Sequence, residues 1–280
     1  PTSLDFCNKK MSLLVPNVQE LAKTKPTAVP PRYVRSDLPP PASSSSSSSI
    51  DDASVPIIDF QKLSDPNHAD SELRLLHEAC REWGFFQVTN HGVESGVVEK
   101  MKEEVEKFFH LPIDEKMRYS QKAGDVEGYG QAFVVSEDQK LDWADMFFAL
   151  SLPENLRKPH LIPSLPSDFR YAVDSYSAEM KILGNKVVEA MERSLKLKKH
   201  GEMTDVFRDG TLSVRMNYYP PCPQPELVTG LTPHSDASGL TILLQVNDTP
   251  GLHVSKDGHW IPVFPLKNAF VVNIGDTLEV

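Results

Sequence analysis

The sequence predicts an α+β fold, in which a helical and mixed front half packs on an all-β back half that forms a sandwich or barrel. Two patterns support this prediction. Between Asp70 and Lys199, apolar residues recur at helical spacing in three long stretches. After Gly210, short β-branched runs are separated by Pro, Gly and Asp-Gly turn signals, which is typical of strands.

The front half contains the predicted helices and two strands. An apolar run before a Gly or Pro signal predicts a strand, and apolar residues every three or four positions predict a helix. The predicted strands are Val55–Phe60 and Phe85–Val88, and the predicted helices are Asp70–Trp83, Gly96–His110 and Ser167–Lys199. His91 lies in the Asn-His-Gly turn after the second strand, and we interpret it as a structural turn residue rather than a catalytic one.

A Pro-rich and Ser-rich segment precedes this body. Residues Pro26–Pro41 and the run Ser43–Ser49 follow a short amphipathic lead-in, Ser12–Ala22. Because such a composition is poor at burying apolar surface, we expect it to be extended or mobile. The predicted organisation is a lead-in and linker at 1–54, a helical and mixed region at 55–205, and a β domain at 206–280.

Bulk composition excludes several classes of function. The chain has 39 acidic and 29 basic residues and a formal net charge of -10, so it lacks the clustered positive charge that nucleic-acid binding needs. Three widely spaced cysteines predict free thiols in a reducing compartment. No signal peptide or apolar run of membrane-spanning length is present. We therefore expect a monomeric cytoplasmic protein with a small-molecule substrate and neither nucleic-acid nor membrane partners.

The first candidate functional group lies on the predicted strand Leu212–Tyr219. Side chains alternate between the two faces of a strand, so Arg215, Asn217 and Tyr219 share one face. A cation, an amide and a phenol together suit an acidic, oxygen-rich small ligand. An ordinary solvent-facing surface explains the same pattern equally well.

The second candidate is the pair His234 and Asp236. At this spacing the two side chains converge only if the backbone is extended, which the following strand-like run favours. Two histidines and one carboxylate are the pattern of mononuclear Fe(II) oxygenases, but two ligands alone rarely form a site. His253 and His259 flank a predicted Asp-Gly hairpin, where we expect both to face solvent rather than bind metal.

Four long motifs resemble one known family. They are "WGFFQVTNHGV", "MNYYPPCPQPELVTGLTPHSDASGLTILLQ", "GLHVSKDGHWIPV" and "NAFVVNIGDTLEV". They resemble the plant 2-oxoglutarate and Fe(II)-dependent dioxygenases, in particular the senescence-related, norcoclaurine synthase-like and alkaloid O-demethylase subgroup, whose lead-in "SLLVPNVQELAK" also matches. The resemblance implies a double-stranded β-helix (jelly-roll) core, incomplete at the C-terminus, with a helical N-terminal region.

The resemblance also implies cofactors and site residues. The implied cofactors are Fe(II), 2-oxoglutarate as co-substrate and dioxygen, with ascorbate as an accessory. By position, His234 and Asp236 match iron ligands, and Asn217 and Tyr219 match residues that help to hold 2-oxoglutarate. Residues of the substrate pocket are matched by Arg215, Met146 and Phe148.

One departure concerns the C-terminal motif. In the family, a second iron histidine and an Arg-x-Ser pair follow the strand that matches "NIGDTLEV", whereas this sequence ends at Val280. The expectation is a C-terminally truncated chain that binds iron weakly or not at all. Its full-length form is expected to oxidise a plant specialised small molecule by hydroxylation, desaturation or O-demethylation. The alternatives are an iron-dependent norcoclaurine synthase-like lyase and an inactive truncated paralogue.

Overall fold

The computed structural model describes residues 13–37, 54–122, 124–131, 134–197, 199 and 201–279. Two compact units are present within this part of the chain. The first comprises Pro1–Pro40, Glu99–Ser177 and Thr211–His234, and the second comprises Pro41–Val98, Ala178–Gly210 and Ser235–Val280. The boundaries predicted after residues 54 and 205 remain predictions.

The described elements follow the predicted order of helices and strands, with additional short ones. The α-helices are α1 (Val18–Lys23), α2 (Ala69–Glu82), α3 (Ser95–His110), α4 (Ile113–Met117), α5 (Phe169–Leu195) and α6 (Thr204–Arg208). The strands are β1 (Ile57–Asp59), β2 (Phe85–Thr89), β3 (Gly128–Gly130), β4 (Asp145–Leu152), β5 (Leu212–Tyr218), β6 (Leu240–Leu243), β7 (His253–Lys256), β8 (His259–Pro262) and β9 (Phe270–Ile274). Among the described residues, no helix is long and apolar enough to cross a membrane.

The first unit contains an antiparallel sheet in the order β3-β4-β5. One face of this sheet is aromatic and packs on α3 and α5. Phe147 of β4 lies edge-on to Phe108 of α3 at 5.4 Å, and Phe108 lies 5.3 Å from Phe169 of α5. Because this face is filled by large buried rings, the opposite face is the one available for a ligand.

The described part of the lead-in packs against β4 within the first unit. Asp145 caps α1, since its carboxylate accepts hydrogen bonds from the backbone N–H groups of Val18 (2.9 Å) and Gln19 (2.7 Å). Val29 and Tyr33 are buried in an apolar cluster with Val18, Leu141 and Trp143. The expectation that Pro26–Pro41 stays extended or mobile is therefore wrong for its described part, where Pro31–Tyr33 forms a turn of 3-10 helix. The serine run lies outside the described residues.

The second unit contains a four-stranded sheet in the order β1-β2-β9-β6. Strands β1 and β2 are parallel and joined through α2, whereas β9 is antiparallel to both β2 and β6. Phe86 and Val272 are cross-strand partners and are fully buried. The two front strands therefore extend the sheet of the later strands.

The hairpin β7–β8 covers part of this second unit. Asp257 and Gly258 form its turn with positive φ angles of 50° and 78°, as a two-residue type I′ turn requires. Val254 of the hairpin packs with Val55 and Val271 in one buried cluster. The predicted Asp-Gly hairpin is confirmed.

Candidate metal and co-substrate site

The open face of the first sheet carries four of the predicted site residues. Met146 lies directly opposite Asn217 in the register of β4 and β5, and Phe148 lies opposite Arg215. Directly opposed residues project from the same face of an antiparallel pair. The Nε of Arg215 donates a hydrogen bond to Oδ1 of Asn217 at 3.0 Å. The structure thus brings a cation and an amide together beside two apolar side chains.

Tyr219 follows the last residue of β5 and lies against the loop that leads to His234. A Cβ atom at Gly230 would stand 2.7 Å from the Tyr219 ring, so only glycine allows the loop to pass this close. The side chain remains 52% exposed. Loss of surrounding water raises the pKa of Tyr219, with the Asp142 carboxylate acting in the same direction and Arg215 against it. At neutral pH the phenol is protonated and can donate a hydrogen bond to a carboxylate.

His234 has a defined tautomer. Its Nδ1 lies 2.8 Å from the backbone carbonyl oxygen of Thr232. Because a carbonyl only accepts hydrogen bonds, Nδ1 must carry the proton, and the lone pair of the neutral ring is then on Nε2. A histidine that donates from one ring nitrogen to a carbonyl is the usual form of a metal ligand.

Asp236 is held by two strand residues that the sequence did not single out. Thr241 Oγ1 donates to Asp236 Oδ2 at 2.6 Å, and Asn273 Nδ2 donates to the same oxygen at 2.9 Å. Thr241 and Asn273 are cross-strand partners in β6 and β9, and Asn273 is only 8% exposed. Two neutral donors on one oxygen fix the rotation of the carboxylate without neutralising its charge.

Gly275 fixes the backbone that carries Asp236. The N–H of Gly275 donates to the carbonyl of Gly239 at 3.0 Å, and the N–H of Asp276 donates to the carbonyl of Asp236 at 2.8 Å. A Cβ atom at Gly275 would lie 2.0 Å from the carbonyl oxygen of Ser238. Only glycine at position 275 therefore permits this close approach of the two chain segments.

An imidazole nitrogen and a carboxylate oxygen fit Fe(II), which accepts both kinds of donor. Residues 234–236 are neither helical nor part of a turn, and the unit boundary follows His234. Because only Ser235 intervenes, the covalent chain keeps the Cα atoms of His234 and Asp236 within about 7 Å of each other. Within the described ranges, no group of three or more His, Cys, Asp or Glu side chains is assembled for a metal.

His91, His253 and His259 lie where the sequence predicts them. His253 and His259 are exposed at the ends of the hairpin strands. His91 accepts a hydrogen bond from the backbone N–H of Val93 at 3.1 Å and lies 3.2 Å from the carbonyl of Asn268, with its ring 4.7 Å from Phe270. Burial lowers the pKa of His91, which keeps it neutral in this structural position.

Comparisons with known proteins identify two family regions. Residues 55–165 match the model of the non-haem dioxygenase in morphine synthesis N-terminal region, and residues 210–280 match the 2OG-Fe(II) oxygenase superfamily. Three plant relatives are similar over most of the chain. Oxoglutarate-dependent flavonoid 7-O-demethylase 1 of Ocimum basilicum is 55% identical over 275 residues, which are 96% of this chain and 71% of that protein. Codeine O-demethylase of Papaver somniferum is 51% identical over 270 residues, 96% of this chain and 75% of the relative.

A third relative is named as a synthase rather than a demethylase. A solved structure also shares the fold. S-norcoclaurine synthase 1 of Coptis japonica is 43% identical over 274 residues, 96% of this chain and 75% of that protein. The crystal structure of JOX2 in complex with 2OG, Fe and JA superposes with a TM-score of 0.80 at 37% identity, covering 94% of this chain and 74% of that one. These matches confirm the predicted jelly-roll fold. The chain belongs to the plant members of the 2OG-Fe(II) oxygenase superfamily, which oxidise small molecules with Fe(II), 2-oxoglutarate and dioxygen.

Proposed function

We propose that this protein removes a methyl group oxidatively from an aryl methyl ether of a planar, largely apolar plant metabolite. The observation that carries the proposal is the 55% identity to a flavonoid 7-O-demethylase, supported by 51% identity to codeine O-demethylase. Met146 and Phe148, on the open face of the first sheet, supply an apolar surface for an aromatic ring. Hydroxylation and desaturation need the same oxidant and are the other outcomes of this site.

The reaction balances with 2-oxoglutarate and dioxygen as co-substrates. The methyl ether, 2-oxoglutarate and dioxygen give the free phenol, formaldehyde, succinate and carbon dioxide. Bound Fe(II) supplies the activation of dioxygen that this oxidation needs. The role of the protein is to hold the metal with Nε2 of His234 and the Asp236 carboxylate, and to place the methyl group beside it.

Asn217 and Tyr219 hold 2-oxoglutarate in this proposal. The protonated phenol of Tyr219 donates to a carboxylate oxygen of the co-substrate, and Asn217 supplies an amide on the same strand face. Arg215, exposed on that face and bonded to Asn217, contacts an acidic or phenolic oxygen of the substrate. The three residues therefore recognise oxygen-rich groups, while the apolar side chains recognise the ring.

The direct test is product analysis with a panel of methoxylated flavonoids and alkaloids. The protein is supplied with Fe(II), ascorbate and 2-oxoglutarate. We expect equimolar formaldehyde and succinate, both absent when 2-oxoglutarate is withheld. Succinate with a hydroxylated product and no formaldehyde would contradict demethylation. Complete lack of 2-oxoglutarate turnover with every substrate would support the inactive paralogue.

A variant pair tests the co-substrate residues. Tyr219→Phe removes the proposed donor, so we expect the KM for 2-oxoglutarate to rise about tenfold because a hydrogen bond to a charged group is lost. Tyr218→Phe is the matched control, since Tyr218 points to the other face of β5 and stacks on Phe109 at 5.2 Å. Equal KM values for both variants would remove Tyr219 from the 2-oxoglutarate site.

The second candidate function is condensation of an amine with an aldehyde by an iron-dependent lyase. The 43% identity to S-norcoclaurine synthase 1 favours it. The lyase needs no 2-oxoglutarate, so withholding the co-substrate separates the two functions. Product formation that persists without 2-oxoglutarate would support the lyase and contradict the oxygenase.

A further inference from the structure

We propose that Arg35 and Asp142 are positioning residues for His234, which act by fixing the backbone carbonyl of Thr232. This inference rests on the proposed function, because it gives His234 the role of a metal ligand. All four residues belong to the first compact unit. We call the contacts of Arg35 and Asp142 with Thr232 the brace; through Arg35 it joins the Pro-rich segment Pro26–Pro41 to the loop that carries His234.

The contact from His234 to the backbone is common in itself. His253 and His259 make the same contact, with Nδ1 lying 3.3 Å and 2.9 Å from the carbonyl oxygen two residues earlier. Their acceptor residues, Gly251 and Asp257, lie on the surface, where a Cβ at Gly251 would meet nothing within 4 Å and the Asp257 side chain is 84% exposed. The difference at His234 is therefore how firmly the acceptor residue is held.

Thr232 is held by Asp142 at two points. Its backbone N–H donates to Oδ1 of Asp142 at 3.1 Å, and its hydroxyl donates to the same oxygen at 2.6 Å. Together the two bonds fix the peptide plane and the χ1 rotamer of Thr232. Because the carbonyl of Thr232 accepts from His234, this also limits how the imidazole can rotate.

Arg35 holds Thr232 from the Pro-rich segment Pro26–Pro41. Nη1 donates to the Thr232 hydroxyl at 2.6 Å and lies 3.5 Å from Oδ1 of Asp142. The other edge of the guanidinium, Nε and Nη2, binds the carboxylate of Asp37, both at 2.9 Å. The Arg35 side chain is 7% exposed, and its backbone N–H donates to the carbonyl of Leu227 at 2.8 Å. A planar guanidinium that is hydrogen-bonded on both edges is held in one position, and it therefore fixes the position of the Thr232 hydroxyl.

Such a brace matters because metal sites tolerate little displacement. Ligand distances are reproduced to about 0.2 Å in well-formed sites. Groups that orient a ligand without touching the metal typically change metal affinity 10 to 100-fold when removed. Arg35 and Asp142 act through Thr232, so we place their effect at the lower end of this range.

The test is Mn(II) binding to the protein, measured by electron paramagnetic resonance. We expect Arg35→Ala and Asp142→Ala each to weaken Mn(II) binding about tenfold. Arg35→Lys keeps the charge but not the fork and should recover only part of the loss. Arg32→Ala is the matched control, because Arg32 also ties the Pro-rich segment to the first unit, through the carbonyls of Ser136 (2.8 Å) and Gln139 (3.2 Å). It should leave Mn(II) affinity unchanged.

A second readout needs no metal. In ¹⁵N NMR of histidine-labelled apoprotein, His234 should be the Nδ1–H tautomer, and both alanine variants should increase the Nε2–H form. Thr232→Val, which removes a single hydroxyl, provides the milder test where an alanine variant fails to fold. In a double-variant cycle, the losses of Mn(II) binding free energy caused by Thr232→Val and Arg35→Ala should be less than additive, because both act through the Thr232 hydroxyl. The effects of Thr232→Val and Arg32→Ala on the same quantity should be additive.

Two results overturn the inference. One is unchanged Mn(II) affinity in folded Arg35→Ala, Asp142→Ala and Thr232→Val proteins. The other is a loss in Arg32→Ala equal to that in Arg35→Ala, which would indicate general loosening of the Pro-rich segment. His234→Ala separates this inference from the proposed function: if it leaves Mn(II) binding unchanged, the metal site itself is wrong, whereas a loss confined to His234→Ala refutes only the brace.

Discussion

Gly275→Ala tests whether the approach of the β9 end to the Asp236 loop sets the metal geometry. The added Cβ would stand 2.0 Å from the Ser238 carbonyl oxygen, whereas real Cβ contacts are essentially never shorter than 3.0 Å. The two segments must therefore separate by at least 1.0 Å, the difference between these distances. Ser238 lies two residues after Asp236, and the two N–H···O bonds that Gly275 and Asp276 donate cross the same gap.

The expected result is loss of metal affinity together with some stability. Displacing the backbone that carries Asp236 disturbs the groups that orient this ligand, so we expect Mn(II) affinity to fall by about 10 to 100-fold. Overpacking of a filled position should lower the free energy of unfolding by about 1–3 kcal/mol. Electron paramagnetic resonance measures the first quantity, and urea denaturation of the apoprotein measures the second.

Gly251→Ala is the control for this change. A Cβ at Gly251 meets nothing within 4 Å. The substitution should therefore leave the Mn(II) binding free energy and the free energy of unfolding within about 0.5 kcal/mol of those of the parent protein. If a folded Gly275→Ala protein binds Mn(II) with wild-type affinity, the close approach at Gly275 does not set the metal site. The segment that carries Asp236 would then have moved without effect on the site.

Three further predictions follow from single contacts. Thr241→Val keeps the β-branched shape but removes one donor to Asp236, so Mn(II) binding titrations should show a loss of about tenfold in affinity. Thr24→Val, whose hydroxyl bonds to the backbone carbonyl of Leu21 instead, should show no loss, and equal affinities of the two variants would contradict this. Burial raises the pKa of Tyr33 from 10.0 to about 12, so the stability that its neutral form provides is complete below pH 10 and is lost as the pH rises towards 12, by about 2–3 kcal/mol. In urea denaturation, the free energy of unfolding of Tyr33→Phe should decline less between these two pH values than that of the parent protein. An equal decline in both proteins would show that Tyr33 does not cause it. Burial also raises the pKa of Cys80 to about 11, so iodoacetamide at pH 8, followed by mass spectrometry, should label it about 100-fold more slowly in the folded than in the unfolded protein; comparable rates would show an accessible thiolate.

The sequence predicted best those elements whose pattern is local. The alternation of residues 212–219 predicted a strand, and β5 covers Leu212–Tyr218 with Arg215 and Asn217 in the cross-strand rows of Phe148 and Met146. The Asp-Gly pair predicted the hairpin turn because both positions need positive φ angles. The three long helices were found to within four residues at each end. In each case neighbouring residues alone determine the structure.

The missed features depend on contacts between distant residues. On the face of β4 opposite Phe147, Met146, Phe148 and Leu150 are apolar and at most partly exposed, so the sequence "DMFFALSL" shows no alternation. Tyr33 is buried, despite its Pro-rich surroundings, because it meets Trp143 at 5.3 Å, 110 positions later in the chain. The residues that hold the two proposed metal ligands were missed for the same reason. Asn273 lies 37 residues from Asp236, and Arg35 lies 197 residues from Thr232.

His234 and Asp236 are proposed to hold the iron of this oxygenase. The test is anaerobic Fe(II) titration of the protein by isothermal calorimetry, with His234→Ala, Asp236→Ala and the exposed control His253→Ala measured side by side. We predict that both site variants weaken Fe(II) binding at least 100-fold, since each removes a direct ligand, while His253→Ala matches the parent protein. Equal Fe(II) affinity in all four proteins would show that these two residues do not hold the iron.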